Sequence, residues 1–296
     1  MAGALLLPMN PLAVVGPEPS LDAWLARQPH AAVLHRAPGV LRVHFPSQSA
    51  LDSAPDPSRA QSSCPIDVAQ SMGLDAFPVH PPMRRKDFRL LAMDMDSTLI
   101  TIECIDEIAD MAGLKARVAE ITAAAMRGEL DFPASLRARV ALLEGLPVDS
   151  LSKVFEERLR LSPGAEALLA AARASGWTTL LVSGGFTYFT DRLKARLGLD
   201  HALSNTLEVH HGRLTGRVLG DIVDGAAKAA RVVTACQDLG CATHHAIVMG
   251  DGANDLPMLR LAGLSVAYKA KPVVRREAHL SIQHGGLDVL LQRFDS

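Results

Sequence analysis

From residue 86 onward, short apolar runs alternate with segments of helical periodicity, and this alternation limits the folds open to the chain. It predicts a parallel sheet covered by helices. The first three predicted strands each run into a polar or glycine-rich turn: RLLAM (89–93) into DMDST, TTLLVS (178–183) into SGGF, and HAIVM (245–249) into GDGAND. Because open α/β sheets bind ligands beyond the carboxyl ends of their strands, we expect the three turns to form one site.

Two insertions interrupt this alternation. Residues 103–160 are rich in helix formers and are longer than a crossover between parallel strands requires, so we expect a helical cap over the site. Residues 205–218 have the two apolar arms and the glycine turn of a β-hairpin. Two further strands are predicted at 264–268 and 280–282.

The beginning of the chain has a different pattern. Strands predicted at 12–15, 31–35 and 40–45, with a helix at 20–28, indicate a small β-α-β-β unit. The stretch 46–63 is rich in Ser, Pro, Asp and Ala, which is typical of a flexible linker.

The predicted fold class is therefore α/β, with a Rossmann-like parallel-sheet core and an inserted helical cap, preceded by a small α+β unit. We expect two domains: the N-terminal unit with its linker at 1–85, and the core at 86–296 with the cap at about 103–160.

Composition excludes several classes of function. The formal net charge of −2 gives no basic surface for nucleic acid. No apolar stretch reaches the length of a membrane span, and the N-terminus has neither the basic flank nor the cleavage site of a signal peptide. The four scattered cysteines lack metal-ligand spacing, which is typical of reduced thiols in a cytoplasmic protein.

The first turn places two carboxylates where a buried strand ends. Asp94 and Asp96 lie on the same side of an extended chain and would repel each other unless a cation or a proton lay between them. A plain strand-to-turn transition is an equal alternative for these residues alone, because Asp and Ser are ordinary turn and cap residues.

The third turn adds Asp251 at a strand end, followed by Asn254 and Asp255. Asn254 and Asp255 could simply cap the next helix. Asp94 and Asp251, at the same edge of one sheet, offer the hard oxygen ligands that Mg²⁺ prefers. We therefore expect a Mg²⁺ site at this edge.

The second turn offers a hydroxyl and successive backbone N–H groups at Ser183 and Gly184, which suits an anion, although S-G-G is also a common turn. Lys228 lies among small residues on a predicted helix, and by itself it would be read as a solvated surface lysine.

The motifs DMDST, VSGG, Lys228 and GDGAND occur together and in this order. The chain thereby resembles the haloacid dehalogenase-like superfamily of aspartate-nucleophile phosphatases. Longer stretches are similar to the phosphoserine phosphatase family within that superfamily: DMDSTLITIECIDEIADMAG, AMRGELDFPASLRARVALLEG, LTGRV and AYKAKPVV. The resemblance covers residues 86–296 and leaves out the N-terminal unit.

The resemblance implies a Mg²⁺-dependent phosphatase that hydrolyses O-phospho-L-serine, the last step of L-serine biosynthesis. It makes Asp94 the nucleophile that forms an aspartyl phosphate and Asp96 the general acid and base. Mg²⁺ is expected against Asp94, Asp251 and the backbone carbonyl of Asp96. The remaining implied partner is a small-molecule substrate, with a homodimer left as an open expectation.

The resemblance also assigns the groups that hold the phosphoryl oxygens, namely Ser183, the Gly184 N–H and Lys228. Asn254 is expected to contact the phosphate or the nearby loop. Asp255 is expected to position Lys228 or a metal-bound water.

The cap supplies the residues implied to recognise the amino acid. Glu103 corresponds to the ligand of the substrate amino group, and its alternative role is a helix N-terminal acid. Arg139 falls on the edge of the apolar helix face, whereas Arg137 points away, and the resemblance gives Arg139 the substrate carboxylate. Met126 and Phe132 are expected to line the pocket, although plain cap core is nearly as good an explanation for them.

Three other functions remain open from the sequence. The first is a phosphatase or phosphotransferase acting on a related small phosphomonoester such as phosphohomoserine. The second is a non-catalytic sensor acting through residues 1–85. The third is a haloalkanoate dehalogenase, against which Asp96 and the Mg²⁺ site argue, because displacement of halide requires neither a leaving-group acid nor a metal.

Overall fold

The computed structural model describes residues 11–28, 31–45, 64–79 and 82–294. The predicted linker at 46–63 lies outside these ranges. Within them, no helix has the length and the apolar character that crossing a membrane requires.

The core is a seven-stranded sheet in the order β11-β10-β9-β5-β6-β7-β8. All neighbouring pairs are parallel except β7 and β8, which form the predicted hairpin. The strands are β5 (Leu90–Met93), β6 (Thr178–Phe186), β7 (His201–His210), β8 (Arg213–Leu219), β9 (Ala246–Gly250), β10 (Leu264–Tyr268) and β11 (Leu280–Ile282). The predicted α/β class with a parallel sheet is confirmed.

Apolar residues on both faces of β5 explain its central place in the sheet. Leu91 and Met93 pack into one hydrophobic cluster, while Leu90 and Ala92 pack into a second cluster on the opposite face. A strand buried on both faces reads as a continuous apolar run, as this one does. Helices cover both faces: α7 (Ala165–Ala174), α8 (Thr187–Leu197), α9 (Gly225–Asp238), α10 (Leu256–Leu259) and α11 (Pro272–Glu277).

The order of the strands decides where a ligand can bind. The chain adds β6 and β7 on one side of β5, then returns to add β9, β10 and β11 on the other side. The carboxyl ends of β5 and β9 therefore border the point at which the winding direction reverses, which is where open α/β sheets form their binding crevice.

The predicted cap is a helical insertion between β5 and β6. Its helices are α3 (Cys104–Met111), α4 (Lys115–Met126), α5 (Phe132–Ala141) and α6 (Asp149–Lys153). The side chain of Asp131 caps α5 by accepting a hydrogen bond from the N–H of Ala134 at 2.7 Å. Leu136 and Val140 form the buried stripe of α5, as the helical spacing predicts.

A segment of the cap pairs with the hairpin. The N–H of Gly145 donates to the carbonyl of Leu214, and the N–H of Leu214 donates to the carbonyl of Leu146, both at 2.8 Å. The N–H of Val148 donates to the carbonyl of Gly212 at 2.9 Å. This end of the cap is therefore held to the sheet by backbone hydrogen bonds.

The N-terminal unit is larger than the predicted β-α-β-β arrangement. It is a β-α-β-β-α-β unit with an antiparallel sheet in the order β2-β3-β1-β4. Its elements are β1 (Leu12–Val15), α1 (Glu18–Ala26), β2 (Ala32–Ala37), β3 (Val40–His44), α2 (Pro65–Ser71) and β4 (Asp75–Pro78). The last helix and strand were missed because both are short and because β4 is stabilised by pairing with β1, distant in sequence.

This unit contacts the core through β4. The buried carboxylate of Asp75 accepts hydrogen bonds from the backbone N–H groups of Gln283 at 2.6 Å, His284 at 3.2 Å and Gly285 at 2.7 Å, just beyond β11. Phe77, also on β4, packs into the larger hydrophobic cluster of the core. The domain division near residue 85 stays a prediction.

Candidate active site

Asp94 and Asp96 lie directly beyond β5, in a turn that continues to Leu99 and in which Asp96 has an extended backbone. Asp94 is 6% exposed. Within the turn, Ser97 has a φ of 55°, a left-handed conformation that turns the chain toward the cap. The Asp96 carboxylate accepts a hydrogen bond from the N–H of Cys104, the first residue of α3, at 3.0 Å. Asp96 therefore joins the end of the central strand to the entrance of the cap.

Lys228 is fully buried beneath this turn, on α9. Its Nζ donates hydrogen bonds of 2.7 Å to Oδ1 of Asp94 and of 2.7 Å to Oδ1 of Asp255. The other oxygen of Asp255 accepts from the N–H groups of Asp251 at 3.1 Å and Gly252 at 3.0 Å. Asp255 is thus committed to holding Lys228 and the turn after β9, which is a positioning role.

Burial and neighbouring like charges raise the pKa values of the carboxyl groups Asp94 and Asp251 in this site. Burial raises the pKa of Asp94, with further effect from Asp255, although the Lys228 ammonium opposes the shift. Burial also raises the pKa of Asp251 to about 7, with Asp255 again adding to it. Burial by itself would lower the pKa of Lys228, but Asp255 and Asp94 outweigh it, so the net shift is upward and Lys228 stays charged.

Asp96 has a different balance of forces. Burial raises its pKa to about 7, and the nearby Glu103 carboxylate adds to the increase, while the hydrogen bond from Cys104 opposes it. A carboxyl group that gains and loses a proton near neutral pH has the property that a general acid and base requires.

Three carboxylates come together where the sequence predicts a metal. Asp94, Asp251 and Asp255 each offer an oxygen, and these oxygens lie within 4.8 Å of one another. Asp255 uses one oxygen for Lys228 and the other for two N–H groups of the turn after β9, whereas Asp94 uses only Oδ1 for Lys228. Asp94 and Asp251 are therefore the two carboxylates better placed to hold a cation. The Asp96 carboxylate is not part of this cluster, and the group of Asp96 predicted as a ligand is its backbone carbonyl.

The second turn lies at the carboxyl end of β6, which continues through Phe186, beyond the predicted end of this strand at residue 183. Ser183 is buried, and its Oγ accepts a hydrogen bond from the N–H of Gly185 at 2.9 Å. A Cβ at Gly184 would lie 2.7 Å from the Phe132 ring, and one at Gly185 would lie 2.6 Å from Oδ2 of Asp96. Only glycines allow the turn, the cap and the acid to approach this closely.

The cap and the sheet edge enclose a cavity of about 820 Å³. It brings together most of the predicted site residues, and those that line it are Asp94, Asp96, Glu103, Phe132, Arg139, Ser183, Gly184, Asp251 and Asn254. Lys228 and Asp255 lie buried beneath it. The side chain of Met126 lies outside the described residues.

Glu103 and Arg139 face the cavity from the cap. Glu103 accepts a hydrogen bond of 2.6 Å from the hydroxyl of Ser97, and burial raises its pKa. The Nε of Arg139 donates to the carbonyl of Ser135 at 3.4 Å. Burial lowers the pKa of Arg139, while the carboxylates of Asp106 and then Glu103 oppose that shift. A carboxylate and a guanidinium thus lie in one cavity with the Asp94 carboxylate.

Sequence reasoning did not single out four polar residues of this region. Asp106 lies one helical turn after Glu103, and Lys271 follows β10, and both line the cavity. The buried side chain of Asn205 donates to the carbonyl of Gly184 at 2.8 Å and accepts from the N–H of Val223 at 2.8 Å. Thr98 donates to Asp251 at 3.4 Å. Helical spacing indicates Asp106, and the strand-end rule indicates Lys271, but no local signal marks Asn205.

Comparison with known proteins agrees with this geometry. The pattern of the haloacid dehalogenase-like hydrolases matches residues 91–260. A phosphoserine phosphatase of Albidiferax ferrireducens is 53% identical over 235 residues, which are 78% of this chain and 98% of the relative. One from Polaromonas sp. is 55% identical over 227 residues, 75% of this chain and 96% of the relative. The chain belongs to the phosphoserine phosphatase family of haloacid dehalogenase-like hydrolases.

Two solved structures extend the likeness to the whole chain. A haloacid dehalogenase-family hydrolase from Salmonella enterica is 34% identical, with a TM-score of 0.82, and the match covers 97% of this chain and 99% of that one. A probable phosphoserine phosphatase from Vibrio cholerae is 35% identical, with a TM-score of 0.78, over 98% of this chain and 88% of that one. Membership of the phosphoserine phosphatase family makes this chain an enzyme. Because the two structural matches cover nearly the full chain, they include the N-terminal unit.

Proposed function

We propose that the protein hydrolyses O-phospho-L-serine to serine and inorganic phosphate, the last step of L-serine biosynthesis. The observation that carries this proposal is the convergence of Glu103 and Arg139 on the cavity that contains Asp94. A phosphorylated α-amino acid has an ammonium group, a carboxylate and a phosphate, and this cavity offers a partner for each of the three.

Asp94 is the proposed nucleophile, because it lies at the sheet edge beside a fully buried ammonium group. A carboxylate oxygen of Asp94 forms a bond to phosphorus as the bond from phosphorus to the serine oxygen breaks. Asp96, whose pKa is raised to about 7 chiefly by burial, gives its proton to that leaving oxygen. Water then attacks phosphorus and gives a proton to Asp96, and phosphate leaves Asp94.

The phosphoryl oxygens are held by groups from two loops and from helix α9. Ser183 and the Gly184 N–H come from the end of β6, Asn254 comes from the turn after β9, and Lys228 lies beneath them. Before substrate arrives, Lys228 is held by Asp94 and Asp255, Ser183 by the N–H of Gly185, and the carbonyl of Gly184 by Asn205. Donors fixed in advance stabilise the charge that shifts among the oxygens in the transition state.

The cap supplies the proposed selectivity. Glu103 binds the substrate ammonium, and Arg139, with its planar fork of donors, binds the carboxylate. Phe132 provides an apolar wall around the serine methylene, and the pocket role of Met126 stays a prediction. A phosphate ester without an amino acid would leave the cavity-lining charges of Glu103 and Arg139 without substrate partners, which disfavours its binding.

Mg²⁺ is the proposed cofactor, and the donor set fits it. Asp94 and Asp251 present hard oxygens at one point, and burial and neighbouring carboxylates raise the pKa of each, an effect that a bound cation would oppose. These two carboxylates and the carbonyl of Asp96 are the groups that would hold the ion. When bound, Mg²⁺ neutralises charge so that an anionic nucleophile can approach an anionic phosphate.

The proposed setting is the cytoplasm. The cysteines of the described segments, Cys64, Cys104, Cys236 and Cys241, are all unpaired, as thiols are in a reducing compartment. A homodimer stays a prediction, which light scattering of the purified protein would test.

The decisive assay is release of inorganic phosphate from L-phosphoserine with and without Mg²⁺. Phosphohomoserine, phosphoethanolamine and an aryl phosphate serve as comparison substrates, and Asp94→Asn serves as the variant without a nucleophile. We expect metal-dependent turnover that prefers phosphoserine by at least about tenfold and that the substitution abolishes. A preference for phosphohomoserine would move the activity to a related phosphomonoester. Undiminished turnover by the variant would refute the role of Asp94.

A further inference from the structure

Lys271 lies at the same edge of the sheet as the proposed catalytic groups. It follows β10, the neighbour of β9, and its backbone N–H donates to the carbonyl of Asp251 at 3.1 Å. Its side chain is exposed and lines the cavity. The backbone of Lys271 is thus fixed to the turn after β9, while its ammonium group remains accessible to solvent.

The charge lining the cavity is predominantly negative. Five carboxylates line it, namely Asp94, Asp96, Glu103, Asp106 and Asp251, against two cations, Arg139 and Lys271. The buried Lys228 does not correct this imbalance, because Asp94 and Asp255 already bond to it. With Mg²⁺ bound, these lining charges would sum to about −1, so a phosphorylated amino acid with a net charge of about −2 would enter a cavity that offers it no net attraction, and each lining cation becomes important.

The two lining cations have different surroundings. Arg139 is partly buried on α5, and its Nε bonds to the carbonyl of Ser135. Lys271 is exposed and acts on both Glu103 and Asp251, where its charge opposes the increase in pKa that burial causes. Lys271 is therefore both accessible to solvent and close enough to the cavity carboxylates to interact with them.

We propose that Lys271 is a specificity-determining residue that attracts dianionic phosphomonoesters into this negatively charged cavity. The proposal rests on the proposed function and adds the residue that admits the substrate. Because the attraction acts equally on bound substrate and on the transition state, Lys271 lowers KM and leaves kcat unchanged. Because the ammonium is exposed, dissolved salt screens its effect.

The chain provides a matched control in Lys269. It is also exposed and lies on the same loop, but its ammonium lies 5.5 Å from the centre of the Tyr268 ring and is not part of the cavity lining. Lys271→Met and Lys269→Met remove the same charge two positions apart, and each keeps most of the aliphatic side chain. Lys271→Arg keeps the charge and tests for rescue.

The measurement is steady-state kinetics on the full chain with Mg²⁺ at about 20 mM and about 500 mM salt. For Lys271→Met we expect a rise in KM of about three- to tenfold at low salt, less than about twofold at high salt, and an unchanged kcat. Lys271→Arg and Lys269→Met are expected to stay within about twofold of the parent at both salt concentrations. A loss that falls on kcat, that does not depend on salt, or that Lys269→Met reproduces would overturn the proposal.

This result can be separated from a failure of the proposed function. If the parent enzyme does not turn over phosphoserine, the proposed substrate is wrong, and the same variants are compared on whichever dianionic phosphomonoester it does hydrolyse. A salt-screened KM effect confined to Lys271→Met would then still support attraction of the anion, and its absence would still refute it.

Discussion

Lys228→Met is the substitution that most directly tests the electrostatic balance of the site. The ammonium is fully buried and bonds at 2.7 Å to both Asp94 and Asp255. Methionine fills nearly the same space but leaves two buried carboxylates facing each other. Removing one partner of a buried ion pair costs about 3–5 kcal/mol, because the other partner is left uncompensated. In a chain of this size, that cost corresponds to a fall in Tm of roughly 10 °C.

The pH dependence of this loss provides the sharper test. Without Lys228, the acids of the site keep pKa values raised above their ordinary range by burial and by each other. A folded state with a raised acid pKa binds more protons than the unfolded state, so its stability increases as pH falls through that raised pKa. A proton bound to one of these carboxyl groups then replaces part of the charge compensation that the ammonium provided. The loss of unfolding free energy in the variant therefore becomes smaller at low pH.

The assay is calorimetric unfolding in EDTA at about pH 8 and about pH 5.5, for the parent, Lys228→Met and the exposed-lysine control Lys153→Met. We expect a large deficit at the higher pH, a smaller one at the lower pH, and a change within about 0.5 kcal/mol for the control. The same variant should lose a factor of about 10²–10³ in kcat. A deficit below about 1 kcal/mol, or one that is equal at both pH values, would refute the reasoning.

Three further outcomes are expected. Arg139→Ala should raise KM for phosphoserine about 10²-fold and for phosphoethanolamine, which lacks the carboxylate, only slightly; equal effects on both esters would make Arg139 structural. Affinity for Mg²⁺, measured by calorimetric titration, should fall about tenfold per pH unit below about 7, because the pKa of Asp251 is raised to about 7 by burial and the carboxyl group must lose its proton to bind metal; a flat profile would exclude Asp251 as a ligand. Asp75→Ala leaves three backbone N–H groups without their acceptor, and it should weaken docking of the N-terminal unit by about 3 kcal/mol, seen as faster proteolysis between this unit and the core; unchanged proteolysis would contradict that role.

The strand ends at the edge of the core sheet could be predicted from the sequence, because each is marked by a pattern of neighbouring residues. The apolar run before Asp94 and the glycine turn around Asp251 each identify a strand end, and the strand-end rule then brings them together. Lys228 shows the limit of local signals. Lysine is rarely buried unless it is paired, and its partners lie far away along the chain, so only the order of the motifs indicated its place.

The features that were missed depend on contacts between distant segments. Strand β4 is too short to be recognised from its own four residues, and it is fixed by pairing with β1 and by the bonds of Asp75 to the turn after β11. Asn205 restrains Gly184 through an amide that could bond to any nearby backbone. Such partners become evident only when the chain is folded.

The hydrogen bond from the N–H of Cys104 to Asp96 brings substrate recognition close to the acid–base group, because Cys104 follows Glu103 directly. Glu103, the proposed reader of the substrate amino group, immediately precedes Cys104, and its carboxylate contributes to the raised pKa of Asp96, although burial contributes more. A mutation that retunes substrate choice at Glu103 therefore also changes the strength of the acid that protonates the leaving group. A new specificity obtained at Glu103 would evolve together with a new pH optimum, whereas a change at Arg139, which has a weaker influence on the Asp96 pKa, would keep the two properties more nearly separate.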